Sequence, residues 1–218
     1  MGKTVLNLKQ TSILDAFTEE PFLTGNFYFT GGTALSEVYL QHRESIDLDF
    51  FSRLQFDPQK LLNIIESWSR KYKFIIKQQF VDPTYIYICK FADNEELKID
   101  FATYPYKQLS ERVVYHERLQ VDSLLDISVN KLITLTQRAE AKDYVDLFYI
   151  LQHFSFWELK EGVRSKFNVE LEPFTAAADF AAVETIEFLP KMLTTLTIQE
   201  LKSFFLTLAK KLGGNFIE

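Results

Sequence analysis

The sequence has one cysteine, no long apolar run, no excess of basic residues, and no repeated or low-complexity segment. The lone Cys89 excludes an internal disulfide framework and fits a reducing cytosol. It lies in the apolar run 85–91 and reads as a small buried hydrophobe. No apolar stretch reaches the roughly 20 residues needed to span a bilayer, and the N-terminus lacks the apolar core of a secretory signal. The expectation is a soluble, cytoplasmic protein with no membrane partner. A formal net charge of −6 counts against a surface that coats nucleic acid nonspecifically, while leaving room for a local basic patch that grips one RNA end.

What is present is ordinary globular material, rich in phenylalanine. The 218 residues are 47% hydrophobic and 25% charged, with 21 Phe, enough for one large domain or a core with a helical extension. The first half alternates strand and helix patterns. Residues 26–30, 46–51, 74–81, 85–91 and 97–102 read as strands, and a polar turn at 93–96 makes the last two a hairpin. Residues 113–115 and 119–121 add a short ribbon. Thr33–Leu40 reads as a short helix, and Asp57-Pro58 starts a longer one. After about Ser123 the pattern is helical, at 126–139, 142–153, 156–167, 174–192 and 198–212. Ser155 with Glu158 and Thr197 with Glu200 fit capping boxes. The predicted architecture is an α/β core over 1–122, a mixed sheet with helices, followed by a helical region over 123–218.

The chemistry concentrates in two stretches of the first half. Gly31-Gly32 breaks a strand just before a helix. Without Cβ atoms it lets a ligand approach the backbone, and the helix start offers unpaired N–H groups suited to a triphosphate. Thr33 is placed to cap that helix or to donate to a phosphate. Asp47 and Asp49, two apart on a strand, share one face, with Leu48 toward the core. Carboxylates held this way repel unless a cation neutralises them, and Mg²⁺ favours carboxylate and phosphate oxygens. Lys98-Ile99-Asp100-Phe101 supplies a third acid on a neighbouring strand, with Ile99 and Phe101 inward. Three such acids suit two metal ions, Mg²⁺ first and Mn²⁺ as an alternative. Asp100 is then placed to help deprotonate an attacking hydroxyl.

The run Gly31-Gly32-Thr33-Ala34-Leu35, followed by His42-Arg43-Glu44-Ser45-Ile46-Asp47-Leu48-Asp49-Phe50-Phe51, resembles the signature of the AbiEii/AbiGii-type toxin family, within the DNA polymerase β-like nucleotidyltransferases. The resemblance covers roughly residues 25–153. It implies a nucleotidyltransferase fold and an enzyme that moves NMP from an NTP to an acceptor. Known members serve bacterial abortive-infection and toxin–antitoxin systems, and some modify tRNA 3′ ends. An RNA (tRNA) acceptor and a cognate antitoxin are the implied partners. Fourteen residues separate Gly32 from Asp47, a long span for that signature. The family pattern has an Arg and a Ser where Arg43 and Ser45 stand. Arg43 is read either as a contact to phosphate or to the acids, or as half of a structural salt bridge, and His42 as a loop residue.

A second stretch also resembles the family, from Asp126 through Lys131 and Arg138 to Lys142-Asp143-Tyr144-Val145-Asp146-Leu147. On one continuous helix Lys131, Arg138 and Lys142 would form a basic stripe. Periodicity alone reads it as a solvated helix face, whereas the resemblance implies that Lys131 acts on the nucleotide phosphates and Asp143 as an active-site acid. Asp143 also suits a helix first turn. Two rival functions use the same sequence: transfer to a small molecule or a protein hydroxyl, and a non-catalytic interaction protein that keeps the fold.

Overall fold

The computed structural model describes residues 4–116 and 118–214. They fall into two compact units, one drawn from residues 4–39, 45–106 and 111–122, the other from residues 40–44, 107–110 and 123–214.

The first unit is a mixed sheet with helices. It runs α1 (Leu8–Glu19), α2 (Pro21–Asn26), β1 (Tyr28–Thr30), α3 (Gly31–Ala34, continuing as a π-helical turn, Leu35–Leu40), β2 (Leu48–Ser52) and α4 (Pro58–Tyr72). Then come β3 (Phe74–Val81), β4 (Thr84–Phe91), β5 (Glu96–Thr103), β6 (Val113–Tyr115) and β7 (Leu119–Val121). The sheet order is β3-β4-β5-β2-β1-β7-β6. β2 is parallel to β5 and β1 to β7; the other pairs are antiparallel.

Alternation decides which side chains fill the core. Leu48 and Phe50 of β2, and Leu97, Ile99 and Phe101 of β5, are buried, so Asp49, Lys98 and Asp100 point to the opposite face. The phenylalanines do much of the filling: Phe17 of α1 stacks on Phe50 at 4.3 Å, and Phe50 on Phe101 at 5.1 Å. Cys89 is fully buried, and burial pushes its thiol up to about 12, the behaviour of an inert core residue. Asp57 caps α4 by accepting from the Gln59 and Lys60 N–H groups, with Pro58 in the first turn. The sequence reading assigns nothing to α1 and α2. Yet α1 carries a capping box between Asn7 and Gln10, and the Gln10 amide donates to the Ser45 and Ile46 carbonyls, which fixes the chain entering β2.

The second unit is helical: α5 (Leu124–Gln137), α6 (Ala141–Ile150), α7 (Phe156–Phe167), α8 (Pro173–Ala181) and α9 (Ile198–Gly214). The capping boxes at Ser155 and Thr197 form. The expected helix over 174–192 is shorter. It gives way to a 3₁₀ turn, Ala182–Thr185, and then to extended chain at Ile186. Pro190 disfavours helical backbone at Leu189. Beyond it the backbone pairs with residues 42–44: Glu44 N–H donates to the Lys191 carbonyl and Leu193 N–H to that of His42. Those amides are therefore engaged outside a helix.

Lys107–Ser110 joins the helical unit through Asp126. Its buried carboxylate accepts from the Leu109 and Ser110 N–H groups at 3.0 Å each, from the Ser123 hydroxyl at 2.6 Å and from Lys166 at 2.8 Å. Together these donors, Lys166 foremost, outweigh the cost of burial and hold its pKa below the ordinary carboxylate value.

Gly162 shows how tightly α5 and α7 pack. A Cβ there would lie 2.4 Å from Val129 Cγ2, and Val129 is fully buried. Gly162→Ala is therefore expected to lower unfolding free energy by about 1–3 kcal/mol, the usual cost of overpacking a core, as read by denaturant titration.

Candidate active site

The first group of predicted residues gathers at the C-terminal side of β1 and along β2 and β5. Asp49 and Asp100 are directly paired in register across the parallel β2–β5 ladder, with strands about 4.8 Å apart. Asp47 lies just before β2 and not on the strand as expected, and its charge acts on both Asp100 and Lys98. Gly31 follows β1 directly and adopts φ +76°, a left-handed conformation suited to glycine. A Cβ on Gly31 would lie 2.0 Å from Asp49 Oδ2, so the missing side chain is what admits the Asp49 carboxylate. Thr33 is fully buried, and its hydroxyl donates to the Asp47 carbonyl. That bond ties the first turn of α3 to the acidic strand. Gly32 is partly exposed in the same turn, and Ser45 is partly exposed in the segment entering β2.

Asp100 is the most buried of the three acids, at 9% exposure. Burial raises its pKa above the ordinary carboxylate value; Lys98 opposes the shift and the charge of Asp47 adds to it. Lys98 Nζ lies 2.5 Å from Asp100 Oδ2. Burial works against the Lys98 ammonium, but the bond to Asp100 and the charges of Asp100, Asp47 and Asp49 outweigh it, and its pKa is raised. Asp100 Oδ1 is buried and accepts no hydrogen bond. Among the described residues, no group of three or more His, Cys, Asp or Glu side chains stands ready to hold a metal ion. The donor set nevertheless fits a hard dication: carboxylate oxygens from Asp47, Asp49 and Asp100, one of them buried without a partner.

The second group lies in the helical unit and forms a buried ion network centred on Asp146. Its carboxylate is bound bidentately by Arg43, at 2.7 and 2.8 Å, and also by His42 Nε2 at 2.7 Å and Lys131 Nζ at 2.6 Å. Lys131 also meets Asp143 at 3.1 Å, and Arg138 meets Asp143 at 2.9 Å. Burial opposes the Asp146 charge, but Lys131, His42 and Arg43 outweigh it and hold its pKa far below the carboxylate range. Lys131 is likewise penalised by burial, yet raised by Asp146 and Asp143.

This network changes the picture of a basic stripe. α5 ends at Gln137, and Arg138 is its extended C-cap, so Lys131, Arg138 and Lys142 do not lie on one helix. Arg138 leaves the helical path and binds Asp143. Lys142 sits on α6 and pairs with Glu140 at 3.0 Å. Lys131 is not on a solvated face: its side chain is 10% exposed. Asp143 does lie in the first turn of α6, but fully buried. Sequence reasoning passed over Lys98, though strand alternation sets it on the Asp100 face. It also passed over Asp146 as a hub. The adjacent His42-Arg43 was the available signal, since donors that become buried need acceptors.

No helix among the described residues is long and apolar enough to cross a membrane. Residues 12–205 match the family described as nucleotidyl transferase AbiEii toxin, type IV TA system. An uncharacterized protein of Aquifex aeolicus (strain VF5) is 28% identical over 142 residues, 64% of this chain, and the match spans only 64% of that relative's length. Two Helicobacter pylori structures share the fold. One is a candidate nucleotidyltransferase, with 19% identity, TM-score 0.58 and 95% of each chain covered. The other is JHP933, with 20% identity, TM-score 0.58 and coverage of 95% of this chain and 92% of that one. The family match takes in both the acidic strands and the Asp146 network, and the chain belongs to the AbiEii nucleotidyl transferase toxin family.

Proposed function

We propose that this protein is a divalent-metal-dependent nucleotidyltransferase that moves NMP from an NTP to a hydroxyl at an RNA end, a tRNA in the first instance, as the toxin of a two-component system with a cognate antitoxin. The observation that carries the reading is the in-register pair Asp49–Asp100, with Gly31 lacking a side chain where the Asp49 carboxylate lies. Membership of the AbiEii family supports the reaction class and the toxin role.

Asp47, Asp49 and Asp100 would hold the metal. When bound, Mg²⁺ or Mn²⁺ would neutralise these carboxylates and the triphosphate and make the acceptor hydroxyl more acidic. The Gly31-Gly32 turn and the start of α3 would receive the phosphates through backbone N–H groups. Asp100, its pKa raised by burial, is suited to accept the hydroxyl proton. The acceptor oxygen then bonds to the α-phosphorus, the bond to the β-phosphate oxygen breaks, and pyrophosphate leaves. Arg43, Lys131 and Asp143 are assigned through the family resemblance, with Ser45 and Lys142 as further nucleotide contacts. The network around Asp146 would keep Arg43, Lys131 and Asp143 in fixed positions.

An exposed lysine, Lys77, is compatible with a polyanionic acceptor, and the family resemblance favours RNA over a small molecule. Lys77 of β3 pairs in register with Ile88, and Ile88 with Lys98. The pleat therefore puts Lys77 on the same sheet face as Asp100. A buried, unreactive Cys89 is compatible with a cytoplasmic setting, where NTP and tRNA are found.

Labelled NTPs incubated with total tRNA and Mg²⁺ or Mn²⁺ should show label entering RNA. Asp49→Asn is expected to cut that transfer on the order of 100-fold or more while the protein melts normally; transfer at the unmodified rate would overturn the metal assignment. Gly31→Ala should also depress transfer, because its Cβ displaces the Asp49 carboxylate and its backbone is strained. A folded Gly31→Ala protein with full activity would contradict the packing argument.

A further inference from the structure

The acids of the candidate site are not without a cation in this structure. Lys98 Nζ sits 2.5 Å from Asp100 Oδ2, and the charges of Asp47 and Asp49 also act on it. One ammonium on one oxygen leaves Asp100 Oδ1 buried and unpartnered, so the carboxylate is only half satisfied. Resting on the reading of Asp47, Asp49 and Asp100 as cation ligands, we propose that Lys98 is the resident counter-ion of the site, which a divalent metal must displace from Asp100.

Three features make the exchange physically reasonable. Lys98 and Asp100 are two apart on β5 and share a face, so their contact needs no backbone rearrangement to form or break. The Lys98 side chain is 38% exposed, against 13% for Asp100; the ammonium can swing to water while the carboxylate stays. A dication can engage both Asp100 oxygens, or one of them together with Asp49, whereas the ammonium engages one. Lys98 therefore has two effects. It relieves the repulsion among Asp47, Asp49 and Asp100 in the metal-free protein, and it competes with the metal, weakening binding of the ion alone. Once displaced, the ammonium remains on the face that would receive the triphosphate and can pair with a phosphate oxygen. Lys98 is thus a positioning residue for Asp100, and nucleotide arrival offers it a second partner.

The test is Mn²⁺ binding by the full chain without nucleotide, read as loss of the free-ion electron paramagnetic resonance signal. Lys98→Met should bind Mn²⁺ about tenfold more tightly than the unmodified protein, the scale of one partly exposed charge-assisted contact. Lys98→Gln should move in the same direction, which guards against a folding defect in either variant, and melting curves identify such a defect directly. Affinities within about twofold of each other, or weaker binding in both variants, would overturn the counter-ion role while leaving the carboxylate site standing. Adding Asp49→Asn to Lys98→Met should abolish the tight binding. If Mn²⁺ still binds the double variant tightly, or binds none of the proteins, the reading of the carboxylates fails as well.

Discussion

Two aspartates paired in register on neighbouring parallel strands stand where their charges repel, and the rest of the first unit is arranged around that juxtaposition. The β2–β5 register sets Asp49 beside Asp100. The missing side chain of Gly31 makes room for Asp49, the Thr33 hydroxyl pins the Asp47 carbonyl, and Lys98 supplies the positive charge. Beneath them, the stacked rings of Phe17, Phe50 and Phe101 anchor the two strands through the residues that alternate with the acids. The ladder keeps Asp49 and Asp100 from moving apart, so their charges call for a cation; Lys98 supplies one on Asp100, and in the proposed reading a metal supplies the other.

The helical unit deals with charge in the opposite manner. Asp146 and Asp143 are fully buried, and their carboxylates bond to His42, Arg43, Lys131 and Arg138. Buried ion pairs of this kind give little net stability compared with apolar packing, but removing one partner strands the other at high cost. The network therefore acts as a rigid mount. It draws the segment 42–44 onto α6, with the pairing of Glu44 to Lys191 and Leu193 to His42 reinforcing it. A loss of activity on changing Lys131 would consequently report on the mount as well as on any phosphate contact.

Much of this was legible in the sequence, for identifiable reasons. Strand alternation is local, so the faces of Asp49 and Asp100 followed from their neighbours Leu48, Ile99 and Phe101, while Asp47 falls just before β2. Caps at Asp57, Ser155 and Thr197 are likewise local, and those helix starts matched. What escaped depends on long-range partners. α1 has a weak apolar pattern and is fixed by Gln10 reaching the chain before β2. Where the sequence pattern continued a helix to 192, the chain beyond Pro190 instead pairs with 42–44, a contact about 150 positions away in sequence. The basic stripe failed as a helical feature because Arg138 found Asp143. The segment 107–110 belongs with the helices because Asp126 accepts its amides. Apart from Asp143, five residues from Arg138, none of these partners is visible in a local window.

The central claim is that Asp47, Asp49 and Asp100 are the place where this chain holds its metal and the triphosphate. The most direct measurement is anomalous scattering from crystals grown with Mn²⁺ and a non-hydrolysable NTP analogue. A manganese peak bounded by these three carboxylates, with the phosphates over the Gly31-Gly32 turn, is the predicted result. A nucleotide seated elsewhere, with manganese away from Asp49 and Asp100, would contradict it.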